Sequence, residues 1–260
     1  MDTYKIIPLC LGRIWRPRSN MVYGSGDDTV TAYPLISYYI EGNGHQIIVD
    51  TGGTAPNGEK WMPYERKSDE SMEAQLKKTG VDPGDIDTVI LTHLHWDHAG
   101  NNGLFANAKF YVQRLECEDL NRPGVDTAVV SKTSYIPVDG DKELYPGIRL
   151  ILAPGHSAGM QCVLVSVAQG RYLLTGDLIP LYENWEADPK IPNGGMYDLE
   201  VITESIRKVE KICDQILPGH DGRVFERLVM KKTVRGNERS VVPKSPEQWK
   251  RLKIAPEYYE

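Results

Sequence analysis

The stretch Thr88-Val89-Ile90-Leu91-Thr92-His93-Leu94-His95-Trp96-Asp97-His98 decides how the rest of this chain is read. Residues 88–92 are a short apolar run of the kind that forms a strand buried on both faces. Continued in extended form, the chain puts His93 and His95 on one side and turns Leu94 and Trp96 toward packing. Asp97 and His98 follow as it bends into Ala99-Gly100. Three of the six histidines of the chain lie in this segment. It ends a buried strand, which is where open α/β sheets place their sites. Imidazole and carboxylate together suit zinc, iron, manganese or cobalt. Four donors so close in sequence cannot easily all face one ion. Two ions, each with two local ligands, fit better, and the rest of the chain should then supply more.

It does so at three places. His156 stands in Pro154-Gly155-His156-Ser157 after an apolar run at 148–153. Asp177 stands in Thr175-Gly176-Asp177 after 171–175, and His220 in Pro218-Gly219-His220-Asp221 after 214–217. Each is a metal-capable residue just past a strand end, beside a glycine that lets the backbone bend. Singly, such a histidine is usually a hydrogen-bonded surface residue and such an aspartate is usually turn chemistry. Coincidence would have to place all three at equivalent positions. His45, in the hairpin turn expected at Gly42-Asn43-Gly44, fits the turn explanation and is left out.

Working outward, strands are expected at 4–11, 34–40, 46–50, 109–113, 148–153, 161–167, 171–175 and 214–217, with loops at 16–30 and 51–67. Helices are expected at 69–79, capped by Ser68 and closed by Gly80, and at 199–213, capped by Asp198. Leu199, Ile202, Ile206, Val209 and Ile212 repeat at helical spacing in the second. From 231 the chain turns polar, with one short helix signal at Ser245-Pro246-Glu247-Gln248. The expected organisation is a domain over 1–230 and a polar C-terminal extension over 231–260. Strands followed by helix–strand alternation indicate a layered α/β architecture.

With 260 residues, 40% hydrophobic and 25% charged, the composition is that of a globular protein. A chain of this length buries a core without metals to hold it, so a metal site here serves chemistry rather than folding. The 36 acidic residues outnumber 30 basic ones for a net charge of −6, which argues against a nucleic-acid partner. The eight Lys/Arg and four Glu of the last thirty residues read as a solvated face. Cysteines at 10, 117, 162 and 213 form no C-x-x-C pair and read as free thiols. No secretory signal and no run long enough for a membrane helix is visible, so a cytoplasmic location and no membrane partner are expected.

The histidine run, together with Val112-Gln113-Arg114 and Pro154–Gly159, resembles the metallo-β-lactamase superfamily, and within it the N-acyl-homoserine lactonase branch, over residues 1–230. The resemblance implies an αββα sandwich of two sheets flanked by helices, with two zinc ions (iron, manganese or cobalt being alternatives) in the cleft. Carried over by position, His93, His95 and His156 hold one ion, Asp97, His98 and His220 hold the other, and Asp177 bridges them. Asp50, before Thr51-Gly52, matches a position that supports the ligands from behind, although a strand-end turn explains it equally well. A homodimer is expected by analogy.

The expected reaction is hydrolysis, most directly lactone opening by a hydroxide bridging the ions, with Asp97 as proton carrier. The alternative is a different small-molecule ester, amide or phosphodiester on the same site. Homoserine lactonases carry a tyrosine three residues after the bridging aspartate; here that residue is Pro180, and Tyr182 two residues on is the candidate to reach the same space, with an aromatic lid at the rim as the competing explanation. Tyr23, Trp61, Met62 and Tyr64 are candidates for an apolar pocket wall. Zinc β-lactamases of the common type carry Cys where Asp177 stands, flavodiiron-type proteins replace His95 with Glu, and glyoxalase II adds a C-terminal helical domain. A protein that binds metal without catalysis would close its site with four ligands, often Cys.

Overall fold

A computed structural model describes residues 4–54 and 63–230. The expected segment 231–260, Trp61 and Met62 lie outside the described residues. The chain divides into a unit ending at Asp221 and a second beginning at Gly222.

In the first unit the strands and helices are, in order, β1 (Lys5–Pro17), β2 (Val30–Gly42), β3 (His45–Val49), β4 (Tyr64–Glu65), α1 (Met72–Thr79), β5 (Thr88–Ile90), α2 (Trp96–Ala99), β6 (Lys109–Gln113), α3 (Arg114–Glu118), α4 (Thr127–Val130), β7 (Tyr135–Val138), β8 (Lys142–Tyr145), β9 (Ile148–Leu152), β10 (Gln161–Val167), β11 (Gly170–Gly176), α5 (Tyr182–Glu186), α6 (Leu199–Glu210) and β12 (Gln215–Pro218). In the second unit α7 (Arg223–Met230) is the described helix.

The strands form two sheets, one in the order β4-β1-β2-β3-β5-β6-β7 and one in the order β12-β11-β10-β9-β8. This is the expected α/β sandwich with helices outside. Strand β5 is parallel to both neighbours, β3 and β6, and buried at every position, as its apolar run requires. The turn between β2 and β3 has Asn43 at φ 51° and Gly44 at φ 79°, the geometry an Asn-Gly hairpin prefers. The sheets are tied together at one end. Tyr38 Oη donates to Pro218 O at 2.6 Å, and Gln161 Nε2 donates to Leu91 O at 2.8 Å.

Several boundaries moved from their expected places. The 16–30 loop is shorter, because β1 and β2 pair as far as Pro17 opposite Val30. Cross-strand pairing there overrides a locally polar sequence. Ser71, rather than Ser68, caps α1 by accepting from Ala74 N; Ser68–Glu70 form a 3-10 turn ahead of it. Gly80 closes α1 at φ 82°, as expected. Asp198 caps α6 by accepting from Val201 N, and Ile202, Ile206 and Val209 are buried. Leu199 is exposed, and α6 stops at Glu210, short of Ile212. Strands β4, β7 and β8 were not expected; each has four residues or fewer and lies at or beside a sheet edge.

Candidate metal centre

All seven expected donors come together at one end of the two sheets. From the first sheet, His93 and His95 follow β5, and Asp97 and His98 sit in the first turn of α2. From the second, His156 follows β9, Asp177 directly follows β11, and His220 follows β12. Leu94 and Trp96 point into the hydrophobic core, so the alternation that turns the two histidines inward is the one anticipated. Three sets of donors lie with their ligand atoms within 4.8 Å of one another: His93–His95–His156, His93–His98–Asp177 and Asp97–His98–His220.

Asp177 is central. Its Oδ1 is 3.0 Å from His220 Nε2 and 3.1 Å from His98 Nε2, and its Oδ2 is 3.2 Å from His156 Nε2. His156 Nε2 and His95 Nδ1 approach to 3.0 Å. The imidazoles of His93 and His98 have ring centroids 4.1 Å apart. His93 Nε2 is buried with no hydrogen-bond partner among the described residues. An orphaned imidazole nitrogen facing two other imidazoles and a carboxylate is costly without a cation. The donors present therefore fit divalent metal.

The ring atoms that face away from the cluster are held by protein. Asp50, in the left-handed region at φ 61°, accepts from Thr92 N at 2.7 Å and Thr92 Oγ1 at 2.8 Å, and its Oδ2 lies 2.8 Å from His98 Nδ1. His220 Nδ1 lies 2.9 Å from Pro34 O. Each contact fixes the hydrogen on Nδ1 and leaves Nε2 free to ligate. Asn193 Nδ2 donates to Asp177 O at 2.6 Å and reaches 3.4 Å from His156 Nδ1. The loop bearing His156 turns at Gly155, φ 139°, where a Cβ would lie 2.4 Å from Ile202 Cβ. Only glycine fits there.

The charges are arranged around this cluster. Burial, with repulsion from neighbouring imidazoles, pushes His93 well down, and burial with His156 pushes His95 down to about 3. Both are neutral at neutral pH, as a ligand must be. Burial also opposes ionisation of Asp177, but His220, His98 and His156 outweigh it and hold the carboxyl well below its usual range. Burial opposes charge on His98, yet Asp177, Asp50 and Asp97 raise it well above an ordinary imidazole.

The metallo-beta-lactamase superfamily profile matches residues 35–220, more than half of the chain and the whole of this ligand cluster. The chain belongs to the metallo-beta-lactamase superfamily. An N-acyl homoserine lactonase of Bacillus thuringiensis is 33% identical over 208 residues, covering 72% of this chain and 81% of the relative. One from Bacillus cereus is 30% identical over 241 residues, covering 85% and 94%. Among solved structures, an N-acyl homoserine lactone hydrolase with N-hexanoyl-L-homoserine bound at its catalytic metal center superposes with a TM-score of 0.77 at 28% identity, covering 87% of this chain and 97% of that one.

One expected placement differs within this metallo-beta-lactamase site. Tyr182 does not present its hydroxyl to the cluster. The side chain is buried in α5, its Oη donates to Ile216 O at 3.2 Å, and its N–H donates to Asp221 Oδ2 at 2.9 Å. The helix that starts at Tyr182 turns this hydroxyl toward β12 instead of toward the ligand cluster. Tyr64 packs edge-on to Trp96 and its Oη donates to Leu11 O at 2.5 Å. Tyr23 is 45% exposed, which leaves it available at the surface. Asn193 and the fully buried Glu116 were missed by the sequence reading. Neither has a local pattern that separates it from ordinary loop or surface polar residues.

Proposed function

We propose that this chain is a dinuclear metal-dependent hydrolase that opens lactones of the N-acyl-homoserine-lactone type. The observation that carries the reading is the set of seven donors from both sheets, gathered in interlocking triads around Asp177. The names of the N-acyl homoserine lactonases at 33% and 30% identity support the substrate class. His93, His95 and His156 would hold one ion, Asp97, His98 and His220 the other, and Asp177 would serve both. We assign zinc as the ion, which imidazole and carboxylate donors of this kind hold, with iron, manganese or cobalt as the alternatives the same donors accept.

Such a pair, when bound, supplies a water acidic enough to act as nucleophile near neutral pH and a Lewis acid for the carbonyl oxygen. The residues of the chain do the rest. Asp97 is buried, with Oδ2 3.9 Å from His98 Nε2, and although burial opposes it, His98 keeps the carboxyl ionised. An ionised carboxylate there can take a proton from the nucleophile and return it to the leaving alkoxide. The Asp50 carboxylate and the Pro34 carbonyl hold His98 and His220 in the tautomer that presents Nε2 inward. The product is the ring-opened hydroxy acid.

One observation favours a second reading. Pro180 stands where homoserine lactonases carry tyrosine, and its carbonyl accepts from His220 N at 3.1 Å instead of presenting a hydroxyl to substrate. A lactone or ester without the homoserine ring fits this site equally in chemistry. A cytoplasmic location is consistent with four free thiols. Among the described residues no helix is long and apolar enough to cross a membrane.

The deciding experiment is a substrate panel on zinc-reconstituted protein: lactones of varied ring and acyl length, simple esters, amides, a β-lactam and a phosphodiester. Lactone turnover that chelator abolishes and zinc restores is the expected result. Turnover of phosphodiester or amide alone overturns the lactone assignment. Two bound metals with no turnover of any substrate overturns the hydrolase assignment.

A further inference from the structure

Glu116, in α3, has no solvent exposure, yet its side-chain hydrogen bonds among the described residues go to none of the seven donors. Its carboxylate is spent on the segments that carry them. Oε2 accepts from Leu94 N at 2.9 Å, the peptide between His93 and His95. Oε1 accepts from Ser157 Oγ at 2.6 Å and from Gly159 N at 3.0 Å, on the loop that carries His156. Gly159 has no room for a side chain, because a Cβ would lie 2.6 Å from Glu116 N and 2.8 Å from its Cγ. The charge is compensated by Arg122, which pairs with Oε2 and also donates to Glu116 O at 2.9 Å and Asp119 O at 2.6 Å.

A buried carboxylate costs several kcal/mol of desolvation and is retained where every acceptor site is used. Leu94 lies in the loop that leaves β5 of the first sheet, and Ser157 and Gly159 in the loop between β9 and β10 of the second. One carboxyl group thus bridges the two ligand-bearing backbones, beyond the point where Gln161 N donates to Thr92 O at 2.9 Å. Those two backbones present His93, His95 and His156, the triad that draws on both. Helix α3 and strand β6 need no such group for their own sake: an apolar side chain of similar volume would fill the space without burying charge.

We infer that Glu116 is a positioning residue for one ion of the pair, locking the His93–His95 segment to the His156 loop so that the three imidazoles are presented as a unit. This rests on the reading of those three histidines as one ligand set, and does not depend on which substrate is hydrolysed. Asp97, His98 and His220 receive no contact from Glu116 among the described residues, so the second ion is held independently of it.

The test is stepwise cobalt(II) titration of metal-free protein, followed by visible absorption and by competition with a chromophoric chelator. Glu116→Gln has one acceptor oxygen and one NH2, so its NH2 must face either Leu94 N–H or the Ser157 and Gly159 donors, and one segment is released. The expected result is one binding step weakened about 10–100-fold, with a changed cobalt spectrum for that step, while the other step is unchanged. A general loss of stability would weaken both steps together, and that outcome overturns the inference, as does wild-type affinity at both. Ser157→Ala removes one donor and keeps the charge, so it keeps the test open if Glu116→Gln does not fold. It should weaken the same single step by a smaller factor, and unchanged affinity at both steps in this variant also overturns the inference. Absence of lactone turnover in the wild type would leave these titrations intact, so the two readings fail separately.

Discussion

Asp50→Asn isolates what the orienting carboxylate contributes. Asparagine has nearly the same shape and tolerates the left-handed backbone at φ 61° as aspartate does, so the fold itself is not strained. The side-chain oxygen can still accept from Thr92 N, now 2.7 Å away. The other position becomes NH2 and faces His98 Nδ1 at 2.8 Å. Two donors cannot share that contact. His98 relieves it by moving its hydrogen to Nε2, the atom that faces Asp97, Asp177 and the metal position, and an Nε2–H cannot ligate. The structure therefore sets the loss at one ligand's orientation, about 10–100-fold in affinity for the ion that His98 holds, or ~1.4–2.8 kcal/mol. In metal-free protein, loss of a hydrogen bond between charged groups costs about 1.5–3 kcal/mol more. Competition titration measures the first quantity, denaturant unfolding in chelator the second, and imidazole nitrogen shifts of 15N-His protein report the tautomer directly. If Asp50→Asn binds both ions at wild-type affinity with Nδ1 still protonated, the argument that the carboxylate sets the tautomer is refuted.

Further outcomes follow from other parts of the site. Asp97→Asn should lower kcat by about 10²–10⁴-fold while leaving much of the metal content, since the amide oxygen still ligates but carries no proton; equal loss of both on metal analysis makes Asp97 a ligand only. Tyr182→Phe should leave turnover unchanged and cost about 1 kcal/mol of stability for the lost bond to Ile216; a fall in kcat of about tenfold or more at unchanged stability returns that hydroxyl to the chemistry. His98 is raised well above an ordinary imidazole by Asp177, Asp50 and Asp97 against the effect of burial, so in metal-free protein it is protonated at neutral pH and must lose that proton to ligate. Its charge stabilises the metal-free fold fully below the ordinary histidine pKa and is lost as pH rises through the raised value. Metal uptake should accordingly release about one proton and tighten with rising pH across that window, read by calorimetry in buffers of different ionisation enthalpy; buffer-independent heats contradict it. Gly155→Ala should destabilise by ~1–3 kcal/mol and weaken metal binding, because its Cβ collides with Ile202 and moves His156; unchanged unfolding and unchanged affinity would mean that the loop adapts freely.

The ligand set was legible because its strongest part is local. His93, His95, Asp97 and His98 lie within six consecutive residues at the end of a strand whose apolar character is also local. His156, Asp177 and His220 were found by a shared position, each after a strand run and a glycine. What could not be read depends on the third dimension. Glu116 sits among Arg114, Glu118 and Asp119, and nothing in that acidic stretch says that this carboxylate is the buried one. Asn193 lies in a Pro-Asn-Gly-Gly segment that reads as an ordinary turn until Asp177 and His156 arrive beside it. Tyr182 was misplaced for the same reason: its distance in sequence from Asp177 was suggestive, and only the direction of α5 shows that the ring turns beneath β12. The extension of β1 to Pro17 and of β2 back to Val30 came from pairing between strands, a contact that neither strand's composition announces.

Every triad that could hold an ion draws on both sheets: His93 and His95 with His156, His93 and His98 with Asp177, Asp97 and His98 with His220. Among the described residues no such triad comes from one sheet alone, so the spacing of the sheets is part of the coordination. That spacing is set by uncharged contacts close to the site, Tyr38 to Pro218, Gln161 to Leu91 and Gln113 to Gln161 at 2.9 Å, and by the buried carboxylate of Glu116. Such contacts do not depend on metal and would hold the cleft at working width before any ion arrives. The ions then have little ordering to impose, and their binding free energy goes into coordination instead of assembly. Binding to the folded chain alone still stabilises it by mass action. The same sheet contacts that build the sandwich decide how well the triads meet.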